Sequence, residues 1–181
     1  MLPVQILVEV KSDFKMNKQI YIIHENDEWV VPLREELKKI NAPYKEWHMG
    51  RDKIDFSNTP PNGVFYNRMS ASSHTRGHRY APENTKIVLN WLENHNRRII
   101  NNSRALELEI SKQNQYQELT EHNIWFPKTF FCKDKNSLLE NSNNFDKPFI
   151  TKHNRGGRGL GIKYFNNASE LKKYVNGDKF E

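Results

Sequence analysis

Between two short apolar runs, Phe149-Ile150-Thr151 and Ile162-Lys163-Tyr164-Phe165, lie Gly156, Gly157, Gly159 and Gly161, four glycines in six positions. No other stretch constrains the fold as strongly. The flanks predict strand, tight loop, strand. Glycine lets the backbone take positive φ and approach a ligand closely, and the N–H groups of such a loop can face an anion. Arg155, Arg158 and Lys152, four residues before the first glycine, add positive charge. A phosphate chain is the ligand this pattern suits. The competing reading is a glycine-rich hairpin with solvated arginines.

Three other phosphate loops do not fit. No Gly-Lys-Ser/Thr closes the loop and no helix follows it at once, which excludes a Walker A loop. The spacing Gly-Gly-x-Gly-x-Gly between two strands is not the dinucleotide fingerprint. A protein-kinase glycine loop also sits in a hairpin, but its lysine lies on a later strand. Here the lysine comes first.

The 181 residues suffice for one domain or two small ones. A net charge of +6, with no long like-charge block, suits a small anionic ligand and does not require nucleic acid. The single cysteine, Cys132, excludes an intramolecular disulfide and any multi-cysteine metal site. No run approaches membrane-spanning length. Leu2 to Val10 is short, contains Glu9 and lacks a basic leader. The expected location is cytoplasmic, with no membrane partner.

Residues 1–15 have two readings: an upstream extension, with Met16 the natural start, or an extra strand or arm. From there the chain predicts strand 20–23, a capping turn His24 to Asp27, and a helix with Val30, Leu33, Leu37 and Ile40 on one face. Tyr44 to His48 alternates like a strand, which completes a strand–helix–strand unit of a parallel sheet. A loop over 52–63 leads to strand Val64-Phe65-Tyr66. The basic, small-residue segment Ala71 to Pro82 follows as a loop at that strand's C-terminal end, where open α/β sheets bind ligands. Helix 83–95, with Val88, Trp91, Leu92 and His95 on one face, and strand 97–101 close a first domain, 16–101. The second, 102–181, predicts helix 103–110 and helix 112–122 capped by Ser111. Strand 128–132, a short helix from Ser137, the glycine-loop hairpin and helix 168–175 follow.

Phe65-Tyr66-Asn67-Arg68-Met69-Ser70, Trp91-Leu92-Glu93, Arg98-Ile99-Ile100-Asn101, Ser111-Lys112, Ile124 to Thr129 and Pro148 to Lys152, in this order and spacing, resemble the RimK-like ATP-grasp family. Many of its members are alpha-L-glutamate ligases. The similarity covers about residues 16–181. It implies an α/β fold: a Rossmann-like pre-ATP-grasp domain over 16–101, then the central α+β subdomain over 102–181, with the C-terminal subdomain absent. It implies an ATP-dependent carboxylate–amine ligase acting through an acyl phosphate on amino-acid or peptide substrates. Carried over by motif, Lys112 and Lys152 touch the ATP phosphates. Arg155, Gly156, Gly157, Arg158, Gly159 and Gly161 close over them as a flap. Asn67, Arg68, His74 and Arg76 lie on the substrate side. The adenine-holding strand and the Mg²⁺ ligands belong to the C-terminal part of the family. The chain alone is therefore expected to bind ATP weakly and not to turn it over. His153 departs from the proline common at that place.

Two blander readings stand beside these. His74 and His78 are four apart, but in a loop without cysteine or carboxylate neighbours, so no metal ligands are assigned. A non-catalytic module that binds nucleotide or an acidic partner is the alternative to a ligase.

Overall fold

The computed structural model describes residues 19–155, 159, 161–177 and 180. The expected arm 1–15 and Met16 lie outside the described residues, as do Gly156, Gly157 and Arg158 of the loop.

Four parallel strands, β1 (Ile20–His24), β2 (Tyr44–His48), β3 (Val64–Asn67) and β4 (Arg98–Ile100), form one sheet in the order β2-β1-β3-β4. Both faces are covered, so the central strand is apolar on both sides. Ile22 of β1 faces Val30 and Leu37, in and beside helix α1 (Val31–Lys39). Tyr21 and Ile23 face the other way. They meet Phe65 and the Val88, Leu89 and Leu92 stripe of helix α2 (Ala81–Asn94). Burying Phe65 completely is worth about 1.5–3 kcal/mol. Pro32 and Pro82 sit in the first turns of α1 and α2, where the missing N–H has no intrahelical acceptor to lose. Asn41, Asn96 and Asn123 take positive φ just past the ends of three helices. They serve there as the left-handed caps that glycine usually supplies.

The second half begins with α3 (Ser103–Ile110) and α4 (Lys112–Glu121). Leu106 of α3 packs into the first core. Helix α5 (Lys135–Ser142) starts at a reciprocal Asp134–Ser137 capping box. Strands β5 (Phe149–Thr151) and β6 (Lys163–Phe165) pair antiparallel, Phe149 opposite Phe165 and Ile150 opposite Tyr164. Helix α6 (Ala168–Val175) lays Leu171 and Val175 on Phe149 and Phe165. Ile150 and Tyr164, on the outward side, are 50% and 60% exposed.

Four local expectations need correction. Lys128 to Cys132 is not a strand: β5 pairs only β6 among the described residues, so this segment has no ladder partner, and Phe130 and Phe131 stay exposed. Ile40 does not join the apolar face of α1, because it falls on the C-cap and is 71% exposed. Ile162 stops short of β6. The segment expected as a loop folds as a 3₁₀ helix over Ala71–Arg76, entered through the Ser70 side chain, which accepts from the Ser72 N–H. No helix among the described residues is long and apolar enough to cross a membrane.

Candidate functional site

Strand β5 delivers Lys152 to the first turns of α4. Its Nζ donates to the Tyr116 hydroxyl at 3.1 Å and lies 5.2 Å from that ring's centroid. The phenol pKa is lowered, first by this hydrogen bond and further by the charges of Lys152 and Lys112, against the opposing effect of burial. Both lysines singled out in the sequence thus bear on one phenol. Asn154 ties the strand end to the helix start. Its carbonyl accepts from the Lys112 N–H at 3.3 Å, and its Oδ1 accepts from the Gln113 N–H at 3.0 Å. The Ser111 hydroxyl accepts from Asn114 N–H at 3.2 Å, as a helix cap should. The leading N–H groups of α4 are therefore already engaged, and positive charge at this end comes from side chains.

The loop leaves this corner through Arg155, which donates to Glu83 of α2 at 2.5 Å. Gly159 and Gly161 take φ of +76° and +71°. At Gly161 a side chain is doubly excluded, because a Cβ would sit 2.2 Å from the His153 ring.

The expected substrate residues lie elsewhere, at the C-terminal ends of β1 and β3. The chain order reverses between these two strands, the place where open α/β sheets form their crevice. A cleft there is lined by His24, Asn26, Trp29, Val30 and Arg68. Arg76 reaches the same wall with its guanidinium 4.7 Å from the Trp29 ring centroid, but it is paired with the buried Glu25. Asn67 is buried and committed: its Nδ2 donates to the Asn101 carbonyl and its Oδ1 accepts from Met69 N–H, both at 2.9 Å. His74 hydrogen-bonds the Ala71 carbonyl at 2.9 Å. Of the four, Arg68 presents its charge to the cleft. Arg76 packs on Trp29 in its wall, and Asn67 joins the ends of β3 and β4.

Behind the cleft runs a charged network that no motif announced. Arg34 donates to both Glu46 oxygens, at 2.7 and 2.6 Å, and to Asp27 Oδ1 at 3.0 Å. Glu46 also meets His24 Nε2 at 3.0 Å. Arg34 holds the Glu46 carboxyl below its ordinary value. Arg51, with Arg34, takes Asp27 down to about 2. Burial pulls His24 down more than Glu46 raises it. Tyr116, Asn154 and Glu83 were likewise missed. Ser111-Lys112 carried the one usable signal, since a helix starting there places residue 116 one turn along.

No protein-family profile matches the chain, and no curated protein does. Solved structures do. The ATP-grasp ligase PsnB complexed with a minimal precursor superposes with a TM-score of 0.57 at 14% identity, covering 88% of this chain and 58% of that one. The same ligase with minimal precursor, Mg and ADP gives 0.54 at 14% identity, with the same coverage. With precursor peptide PsnA2 and AMPPNP it gives 0.56 at 14% identity, covering 91% of this chain and 61% of that one. The chain shares the mixed α/β fold of an ATP-grasp ligase, and it spans about three-fifths of that ligase's length.

Proposed function

We propose that this chain is the phosphate-binding portion of an ATP-dependent carboxylate–amine ligase of the RimK-like kind. The single observation that carries this reading is the meeting of Lys152 and Tyr116 at the start of α4, beside Lys112 and ahead of the glycine loop, on an ATP-grasp fold. Residues 16–101 form the pre-ATP-grasp unit and 102–181 the central subdomain, with α3 bridging them through Leu106. Lys112, Lys152, Arg155 and the glycine loop hold the nucleotide phosphates, and Arg68 receives the substrate carboxylate. One solved complex of PsnB contains precursor peptide PsnA2 and AMPPNP, in keeping with an amino-acid or peptide substrate here.

In the proposed reaction a carboxylate oxygen attacks the γ-phosphorus and ADP leaves. The amine then attacks the acyl carbon, the bond from that carbon to the phosphate oxygen breaks, phosphate leaves with the electron pair, and the nitrogen gives up a proton. Charge spreads over several phosphate oxygens in the first step, which is where two fixed lysines act. In the resting structure Lys152 is held by Tyr116, so phosphate binding exchanges a neutral hydroxyl partner for an anion. The polar side chains that meet at this corner are the Lys112 and Lys152 ammoniums, the Ser111 and Tyr116 hydroxyls and the Asn154 amide. The carboxylate of Glu83, at the mouth of the loop, is occupied by Arg155. These residues fit phosphate and not Mg²⁺, so no step is assigned to the metal in this chain.

The test is calorimetric titration of the chain with ATP and with ADP, for wild type, Lys152→Ala and Lys112→Ala. Weak binding that each substitution lowers further supports the reading. Binding unchanged by both substitutions would refute it.

A further inference from the structure

The parallel register of β1 and β2 places His24 directly opposite His48 at the strand ends. Asp27 stands in the turn that follows β1. These three side chains each bring one nitrogen or oxygen within 4.8 Å of the others. We propose that His24, Asp27 and His48 form a binding site for a first-row divalent cation, with Zn²⁺ the ion its chemistry suits best.

The tautomer of His24 is the strongest support. Its Nε2 faces a Glu46 oxygen at 3.0 Å and, toward a carboxylate, must be the protonated nitrogen. Nδ1 then carries a bare lone pair. That atom is buried and has no hydrogen-bond partner, in a side chain that is 2% exposed. A buried acceptor without a donor is costly, and a cation removes the cost. A ring N–H donated to a carboxylate is also the usual support of a metal-bound histidine, because it fixes the ring and raises its basicity. Glu46 is itself held by two bonds from Arg34, so the support is rigid.

The remaining groups are compatible with an ion. His48 is buried, and its Nδ1 accepts only a long bond from the Gly50 N–H at 3.2 Å, which coordination would displace. The His78 ring packs edge-on against His48, over Gly50, where a Cβ would meet His78 Nδ1 at 2.2 Å. Asp27 accepts from Arg34 and Arg51, and Arg51 is exposed enough to swing away. Asp27, Glu46 and Asp52 are balanced by Arg34, Arg51 and, at the cleft, Arg68, so an ion here is held by its ligands and not by surplus negative charge. Two imidazoles with one carboxylate select zinc-like ions over Mg²⁺ or Ca²⁺, which prefer all-oxygen shells. Three protein ligands leave one position open.

The experiment titrates Zn²⁺ into the purified, tag-free chain in competition with a chromogenic chelator. One tight equivalent is expected. Asp27→Asn removes a ligand charge and Glu46→Gln removes the support of His24. Each should weaken binding about tenfold or more. His122→Ala, outside the cluster, should leave it unchanged. Replacing the buried His24 or His48 endangers the fold, so zinc-edge X-ray absorption of the wild-type chain supplies an independent reading, a shell with two imidazoles. The absence of a tight equivalent, a shell without two imidazoles, or an affinity unmoved by both Asp27→Asn and Glu46→Gln would overturn the site.

Discussion

Leu171→Ala and Ile150→Ala delete the same three carbons from the two sides of the β5–β6 hairpin, and they should differ sharply. Leu171 is 0% exposed, against Phe149, Phe165 and Val175. Its truncation loses about 2.4 kcal/mol of transfer energy, at about 0.8 kcal/mol per carbon. The cavity left behind brings the total to about 3–5 kcal/mol. Ile150 is 50% exposed, so its truncation should cost about 1 kcal/mol. The second core has four buried residues, and a loss of several kcal/mol should unfold it locally. Strand β5 leads directly into Lys152, so nucleotide binding should vanish with it, although Leu171 lies inside the second core. Amide exchange is the discriminating assay. In Leu171→Ala, strands 149–151 and 163–165 should exchange freely while β1 stays protected. Urea denaturation should show two transitions. If Ile150→Ala costs as much as Leu171→Ala, the outward face is covered in solution and the burial reasoning fails. If β1 loses protection together with the hairpin, the two cores are one cooperative unit.

Three further outcomes are expected. Lys152→Met should raise the Tyr116 pKa back toward its ordinary value, read as the component of a phenolate absorbance titration that Tyr116→Phe removes. A depressed phenol stabilises the fold in full above its unfolded value of 10.0 and loses that contribution as pH falls through the folded value. Neutral-pH stability should therefore not follow this titration. Gly161→Ala should cost about 1–2 kcal/mol for its positive φ, plus the clash with His153. In thermal denaturation His153→Ala should recover only the second part. Asn67→Ala strands the ends of β3 and β4 and should cost about 1–3 kcal/mol in urea denaturation. A cost near zero would return Asn67 to a purely ligand-facing role.

Where periodicity and capping speak locally, the chain was readable. Ser111 caps α4, α3 covers Ser103–Ile110, and β1 takes in the apolar run Ile20 to Ile23. Lys128 to Cys132 failed because β propensity describes a segment's suitability for a sheet, not the presence of a neighbour. At the site, Lys152 and Lys112 announced themselves through motifs. The Tyr116 contact and the Asn154 tie depend on how two distant segments dock. The His24–Asp27–His48 grouping depends on strand register, since the histidines are 24 positions apart in sequence. A sequence shows histidines at helical spacing, such as His74 and His78, far more readily than histidines aligned across a parallel sheet.

The same parallel register governs time. Each pairing in the first sheet must wait for a crossover. β1 meets β2 through Tyr44 and β3 through Val64, some forty residues downstream. During synthesis at roughly 5–20 residues per second, that interval is a few seconds. Ile20-Tyr21-Ile22-Ile23, without charge or proline, spends it uncovered. Short apolar β-prone runs of this kind are where nascent chains stick to one another. The hairpin that bears Lys152 closes over far fewer residues and needs no such wait. Among the paired strands β1 therefore waits longest for a partner, and the yield of folded protein should depend on how well it is shielded until β3 arrives.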